Sequence, residues 1–427
     1  MKERLLQYIW QEKFFQLSEL RVETGEQLII RDPGTWNHDQ GPDFLNARIL
    51  LDGTLWAGHV EIHVKSSQWY QHRHQTDPAY NNVILHVVWE NDDRKLSASL
   101  PTLVLQHRVS TFLLERYEQL MQNDGQLVCQ EWLPEIPGPY WQAWKQELIL
   151  ERLQRKANEL LLLYKKSNKN WNDASWWWMA RYMGGVINGS FFEQVAQSLP
   201  TRILFRHKEQ VIQLEAMLLG QSNLLKESNP DPYVQLLQRE FEFLQNKYQL
   251  PFVHGRVQKL RMRPAAFPEI RLAQLAMLIH KQGMFSRNWL EAAHPKLLAK
   301  TLDITANDFW HYHFTLEEAA PYYPKHIGVE LVQQLLINVI IPYFYAVGMF
   351  QKQPGLQQKA LTWLEEIGIE KNTLIKQWQR AGVPCENAME SQALIELRKY
   401  YCQAKRCLDC SIGRFILNKS GDKVPPD

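Results

Sequence analysis

The period of the apolar residues changes once along this chain, near Val109, and that change limits the folds open to it. Before it, short β-branched and aromatic runs alternate with turn formers: EQLIIRDPG, FLNARILLDG, LWAGHVEIHV, NVILHVVWE and PTLVLQH. Two-residue alternation sends successive side chains to opposite faces of a strand, so these runs read as four or five strands. Ahead of them Leu5, Leu6, Ile9, Trp10, Phe14 and Phe15 recur at helical spacing and predict an amphipathic opening helix. Asp52-Gly53 links two alternating segments, and both residue types tolerate the positive φ of a hairpin turn. After Val109 the segments TFLLERYEQLMQ, WQAWKQELILERLQRKANELLLLYKK and ASWWWMARYMGGVI carry a 3.6-residue period, broken into packets at prolines such as Pro134–Pro139 and Pro321–Pro324. The expectation is an α+β chain. Residues 1-110 form an N-terminal helix plus a mixed β-sheet domain, and residues 111-427 form a large all-helical region ending in a cysteine cluster and a loose tail at Asn418–Asp427.

With 48 basic and 46 acidic side chains the net charge is only +2, which argues against a nucleic-acid coat, an acidic tail or a polybasic membrane anchor. The opening MKERLLQYIW lacks a long apolar core, and the most apolar run, Leu335 to Phe350, is short and carries Asn338 and Pro342. A cytoplasmic protein without a membrane partner is expected. Sixteen tryptophans demand buried space, and Trp176-Trp177-Trp178 cannot share one helix face, so helix packing on several sides is expected there.

Histidine marks the N-terminal quarter: five of the 14 fall between His59 and His86. In a strand over Val60–Lys65, His59, Glu61, His63 and Lys65 share one face and Val60, Ile62 and Val64 the other. The apolar face is expected in a core and the polar face against something wet. The loop QWYQHRHQTDPAY, with His72 and His74, is a candidate lid over that face. Three readings are open for these residues. The first is a catalytic carboxylate pair, and the second is a solvated polar strand with a weak Glu61–Lys65 ion pair. The third is a transition-metal or zinc site drawn from His59, His63, His72, His74 and His86 with Glu61 or Asp77, since imidazole suits such ions.

The order of Gly41-Pro42-Asp43-Phe44, a strand and turn, then Val60-Glu61-Ile62-His63-Val64-Lys65 resembles the PD-(D/E)XK phosphodiesterase superfamily. That resemblance implies a restriction-endonuclease-like sheet with Asp43 and Glu61 as ligands of a catalytic Mg²⁺. It also implies catalytic roles near the scissile phosphate for His63 and Lys65. His63 occupies the position where that superfamily carries lysine, Lys65 lies one same-face step further on, and the crossover Gln68 to Asn82 is short.

Cys402-x4-Cys407-x2-Cys410 presents three thiols within nine residues, a spacing suited to zinc or an iron–sulfur cluster in a reducing compartment. The spacing leaves Cys129 and Cys385 open as the fourth ligand. Arg256, Lys259, Arg261 and Arg263 form the densest basic run and are candidate nucleic-acid contacts, although such runs are more often solvated or ion-paired. Gly184-Gly185 and Gly220 lack the Gly-Lys-[Ser/Thr] of a phosphate loop, and no Gly-x-Ser-x-Gly elbow is present.

Over nearly its whole length the chain resembles an uncharacterised bacterial family known only as a domain of unknown function. The segments that carry this are GPDFLNARI, WAGHVEIHVKSSQW, HRHQTDPAYNNVILHVVWEND, ERLQRKANEL, QLEAMLLGQ, RMRPAAFPEIRLAQLA, SQALIEL and YCQAKRCLDCSIG. The resemblance implies no reaction, but it favours Cys129 over Cys385 as fourth ligand. The leading expectation is therefore a Mg²⁺-dependent nuclease. The alternatives are a non-catalytic interaction or scaffold protein with a structural metal site, and a histidine-rich transition-metal or zinc-dependent enzyme.

Overall fold

In a computed structural model, which describes residues 1–122, 127–283 and 285–419, the chain forms an opening helix, a curled mixed sheet and a large helical region, with the cysteine cluster near the C-terminus. Beyond Lys419 the expected loose tail lies outside the described residues. Helix α1 (Glu3–Glu12) buries Leu5, Leu6, Ile9 and Trp10, the stripe its period predicts, and stops at Lys13, which adopts the left-handed conformation at φ 56°.

The sheet contains β1 (Leu28–Asp32), β2 (Thr35–Trp36), β3 (Phe44–Leu51), β4 (Thr54–Lys65), β5 (Val83–Glu90) and β6 (Thr102–Val104), in the order β1-β3-β4-β5-β6 with β2 paired to β3. Pairing is antiparallel up to β4 and parallel from β4 to β6. Five of the six strands fall on the five alternating runs; β2, two residues long, is too short to show a period. At the predicted hairpin Asp52 and Gly53 have φ of 44° and 78°, and Leu51 faces Thr54 across the turn. A bulge at Asn46, φ 61°, shifts the β3–β4 register so that Phe44 pairs with Val60. Asp43, just before Phe44, is thereby brought level with Glu61.

The expectation for β4 needs correction on one point. Its apolar residues Val60 and Ile62 are buried, but Glu61 and His63 are buried too, at 5% and 1% exposure, so the polar face is not a wetted surface. A parallel β4–β5 pair requires a crossover over one face of the sheet. Here the crossover comprises the short helix Gln68–Gln71 and two 3₁₀ turns, His74–Thr76 and Pro78–Tyr80, and it lays Trp69 and His74 over the polar face.

The chain divides into two compact units, one of residues 1–138 with the segment from 398 onward, the other of residues 139–397. The sequence places a boundary at 110. The first unit extends past it because helix Thr111–Gln122 packs with helix Ser411–Asn418, where Arg116 donates to the Ile416 carbonyl. The second unit is helical. Its helix Trp171–Met183 buries Trp176, Trp177 and Trp178 together, and the Trp176 indole donates to the carbonyls of Ala196 and Leu199. Among the described residues one helical run, Val329–Phe350, is long and apolar enough to cross a membrane, and 78% of its most apolar stretch is buried among its neighbours, as in the core helix of a globular unit.

Candidate functional site

Asp43 and Glu61 interlock. The Asp43 backbone N–H donates to Glu61 Oε2 at 3.0 Å, and the Ile62 N–H donates to Asp43 Oδ2 at 3.1 Å. The other Asp43 oxygen accepts from Gln7 Nε2 of α1 at 2.9 Å. Burial pushes the Asp43 carboxyl up, against the pull of the Gln7 hydrogen bond, with nearby Glu3 adding to the rise. Burial and then the neighbouring Asp43 raise Glu61 still further, to about 9. Two desolvated carboxylates side by side are stable only when protonated or when a cation neutralises them.

An imidazole cluster adjoins this pair. Strand pairing sets Glu61 beside His86 across β4–β5, and His63 Nδ1 meets His86 Nε2 at 2.8 Å. On its other side His63 Nε2 lies 3.1 Å from His72 Nδ1 and 3.5 Å from Glu61 Oε1. His74 stacks on Tyr80 and places Nε2 3.3 Å from Glu61 Oε1. That nitrogen is enclosed and has no well-directed hydrogen bond, and the same holds for His86 Nδ1. Burial, reinforced by neighbouring imidazoles, lowers His63 to about 2 and His86 to about 3, and depresses His74 as well. Neutral imidazoles offer lone pairs, which is the form a metal requires. Among the described residues, the ligand atoms of His63, His72 and His74 lie within 4.8 Å of one another. With an ion on His63 Nε2, the His63 Nδ1–H would donate to His86, the arrangement that fixes tautomer and ring orientation in many metal sites.

Other predicted residues fall elsewhere. Lys65 sits at the exposed end of β4, 4.0 Å from Glu90, and not at the carboxylates. The alternation that assigned it to their face holds, but the strand has left the cover of the crossover by then. His59 accepts from the Asn46 backbone at the bulge. Asp77 caps the 3₁₀ turn Pro78–Tyr80 through the Ala79 N–H. Lys259, in the second unit, is ion-paired with the buried Glu269, whereas Arg256, Arg261 and Arg263 are exposed. Cys129, Cys402, Cys407 and Cys410 line one small cavity, while Cys385 lies in the second unit beside Lys145 and Glu390.

Gln7 and Tyr80 were missed by sequence reasoning, whereas Trp69 lies in the loop read as a lid over this face. Gln7 left a trace: it is a lone amide within the buried stretch Leu5–Trp10. No curated protein and no solved structure is significantly similar to the chain. A family described as proteins of unknown function, DUF2851, matches residues 3–373, a stretch that includes the carboxylate and imidazole cluster and stops short of the C-terminal cysteines; the chain belongs to that family.

Proposed function

We propose that the first unit is a metal-dependent phosphodiesterase acting on nucleic acid, with Asp43 and Glu61 as the carboxylates that receive the ion. The observation carrying this reading is the interlocked, desolvated Asp43–Glu61 pair, in which a bound cation would take the place of the proton that burial holds on Glu61. The order of elements supports the choice of chemistry. A helix, β1, the short β2, a strand preceded by Asp43, a strand bearing Glu61, a crossover and a parallel strand are compatible with the order of the PD-(D/E)XK enzymes, β2 being an addition to it. The ion would supply Lewis acidity toward a phosphoryl oxygen and a more acidic bound water. His63, neutral and 3.5 Å from Glu61, stands where those enzymes carry lysine; burial holds its basicity too low for it to serve as the general base, so its role there is to orient Glu61 and the ion's surroundings. Of the basic run, Arg256, Arg261 and Arg263 are candidate phosphate contacts; Lys259 is already engaged by Glu269.

A second reading is favoured by the gathered imidazoles. His63, His72 and His74 with Glu61 form a donor set suited to Mn²⁺, Fe²⁺ or Zn²⁺ more than to Mg²⁺. One assay separates the two. Purified protein is incubated with single- and double-stranded DNA and RNA under Mg²⁺, Mn²⁺ or Zn²⁺, alongside Asp43→Ala, Glu61→Ala and His72→Ala/His74→Ala. Cleavage under Mg²⁺ that is lost in Asp43→Ala and kept in the double histidine variant establishes the first reading. Copurified transition metal lost in the histidine variant establishes the second. No cleavage under any ion sinks the nuclease reading and leaves a binding module.

A further inference from the structure

Four of the five cysteines converge from three places in the chain. Cys129 precedes the 3₁₀ helix Gln130–Glu135, Cys402 ends the π-helical turn Leu397–Cys402, and Cys407 and Cys410 belong to the turn before helix Ser411–Asn418. Together with Leu120, Val128, Tyr401 and Gly413 they line one cavity of about 20 Å³, and all five cysteines of the chain are unbridged. The backbone N–H groups of Gly413 and Ile412 direct hydrogen bonds at the buried Cys410 sulfur. Those donors are placed to receive a thiolate once a cation neutralises it. The turn is closed tightly: a Cβ on Gly413 would lie 2.1 Å from the Cys407 carbonyl oxygen, so only glycine fits.

We propose that Cys129, Cys402, Cys407 and Cys410 bind one thiophilic metal centre, which fastens the C-terminal segment to the sheet-bearing unit. Four cysteines lining one cavity in an otherwise apolar wall are the donor set of structural zinc and of iron–sulfur clusters alike, and their sulfurs would draw together on an ion. The segment so fastened also holds α1. Arg4 pairs with Asp409 at 2.9 Å, Arg414 with Glu12 at 2.6 Å, and Tyr8 donates to Asn418 at 3.1 Å. Gln7, on the same helix, is the residue that holds Asp43. The centre thus acts as a remote support for the carboxylate pair, across about 270 residues of sequence between Cys129 and Cys402.

The test is elemental and optical analysis of full-length protein purified without oxygen, with no reliance on cleavage, so that it stands or falls apart from the phosphodiesterase reading. About one zinc per chain, or iron with acid-labile sulfide and a brown colour, supports the site and says which centre it is. Cys129→Ser and Cys410→Ser should each lose most of that metal, whereas Cys385→Ser should keep it. Limited proteolysis should cut the variants, but not wild type, within residues 398–419. Protein holding neither zinc nor iron, with all five thiols titrating freely, overturns the proposal; so does a Cys385→Ser variant that loses the metal as completely as Cys410→Ser.

Discussion

Gln7 donates its side-chain amide to Asp43 Oδ1, so a helix at the very start of the chain orients a carboxylate that the sheet supplies. Outer hydrogen bonds of this kind commonly carry about 10- to 100-fold in metal affinity. Gln7→Ala should weaken Mn²⁺ binding by about tenfold while leaving the circular dichroism spectrum unchanged. Titration calorimetry on the two proteins measures it, and equal affinities would remove Gln7 from the site.

The paired carboxylates make a pH prediction. Both are raised above their unfolded values by burial: Asp43 with a contribution from Glu3, and Glu61, which reaches about 9, with one from Asp43. An acid whose folded pKa is raised stabilises the fold below its unfolded pKa and loses that contribution as pH climbs to the folded value. Metal-free protein should therefore melt at falling temperature from pH 5 to pH 9. Added Mn²⁺ should raise the melting temperature at pH 8 and have little effect at pH 5. Glu61→Gln should flatten the metal-free slope; a variant with the full wild-type slope would mean other groups set it.

How much of this was legible in the sequence depended on whether the physics was local. Two-residue alternation found β3, β4 and β5, and Asp52-Gly53 found the turn, because both signals arise between neighbours along the chain. Strand spacing also put Glu61 and His63 on one face, and the positions of Asp43 and Glu61 follow once the Asn46 bulge fixes the register. The polar loop holding Trp69, His72 and His74 reads as a lid over that face, and the crossover does cover it; nothing local says that the cover is close enough to bury Glu61 and His63. Lys65 failed for the complementary reason: face is local, but burial at a strand end is set by what lies above it. Cys129 and the C-terminal cysteines converge through contacts between distant segments, which residue spacing alone could not resolve.

Gly220 bears on the second unit. A Cβ there would lie 2.2 Å from the ring of Phe241, where helix Val211–Gln221 crosses helix Pro232–Tyr248. Alanine normally gains about 1 kcal/mol over glycine within a helix. Overpacking a closed contact costs about 1–3 kcal/mol, so the loss should win. Gly220→Ala should lower unfolding stability by up to about 2 kcal/mol in urea titrations, and a stabilised variant would show that Phe241 moves aside freely.

The buried Glu215 supplies a pH test in that same unit. Its carboxylate accepts from Tyr233 Oη at 2.6 Å, Asn307 Nδ2 at 2.6 Å and Trp310 Nε1 at 3.1 Å. Burial outweighs these donors and pushes the carboxyl up to about 7. The folded state therefore holds its proton more tightly than the unfolded chain does. This contribution is fully present below about pH 4.5, the ordinary glutamate value, and drains away as pH rises through 7. Each tenfold gain in proton affinity is worth about 1.4 kcal/mol, so the whole contribution is at most about 3 kcal/mol. Glu215→Gln keeps the size of the side chain and removes the titration. The variant will be less stable at every pH, because an amide nitrogen then faces N–H donors, but its stability should change less than that of wild type between pH 5 and pH 8. Parallel slopes for the two proteins in urea unfolding would show that Glu215 stays ionised over that range, held so by its three donors.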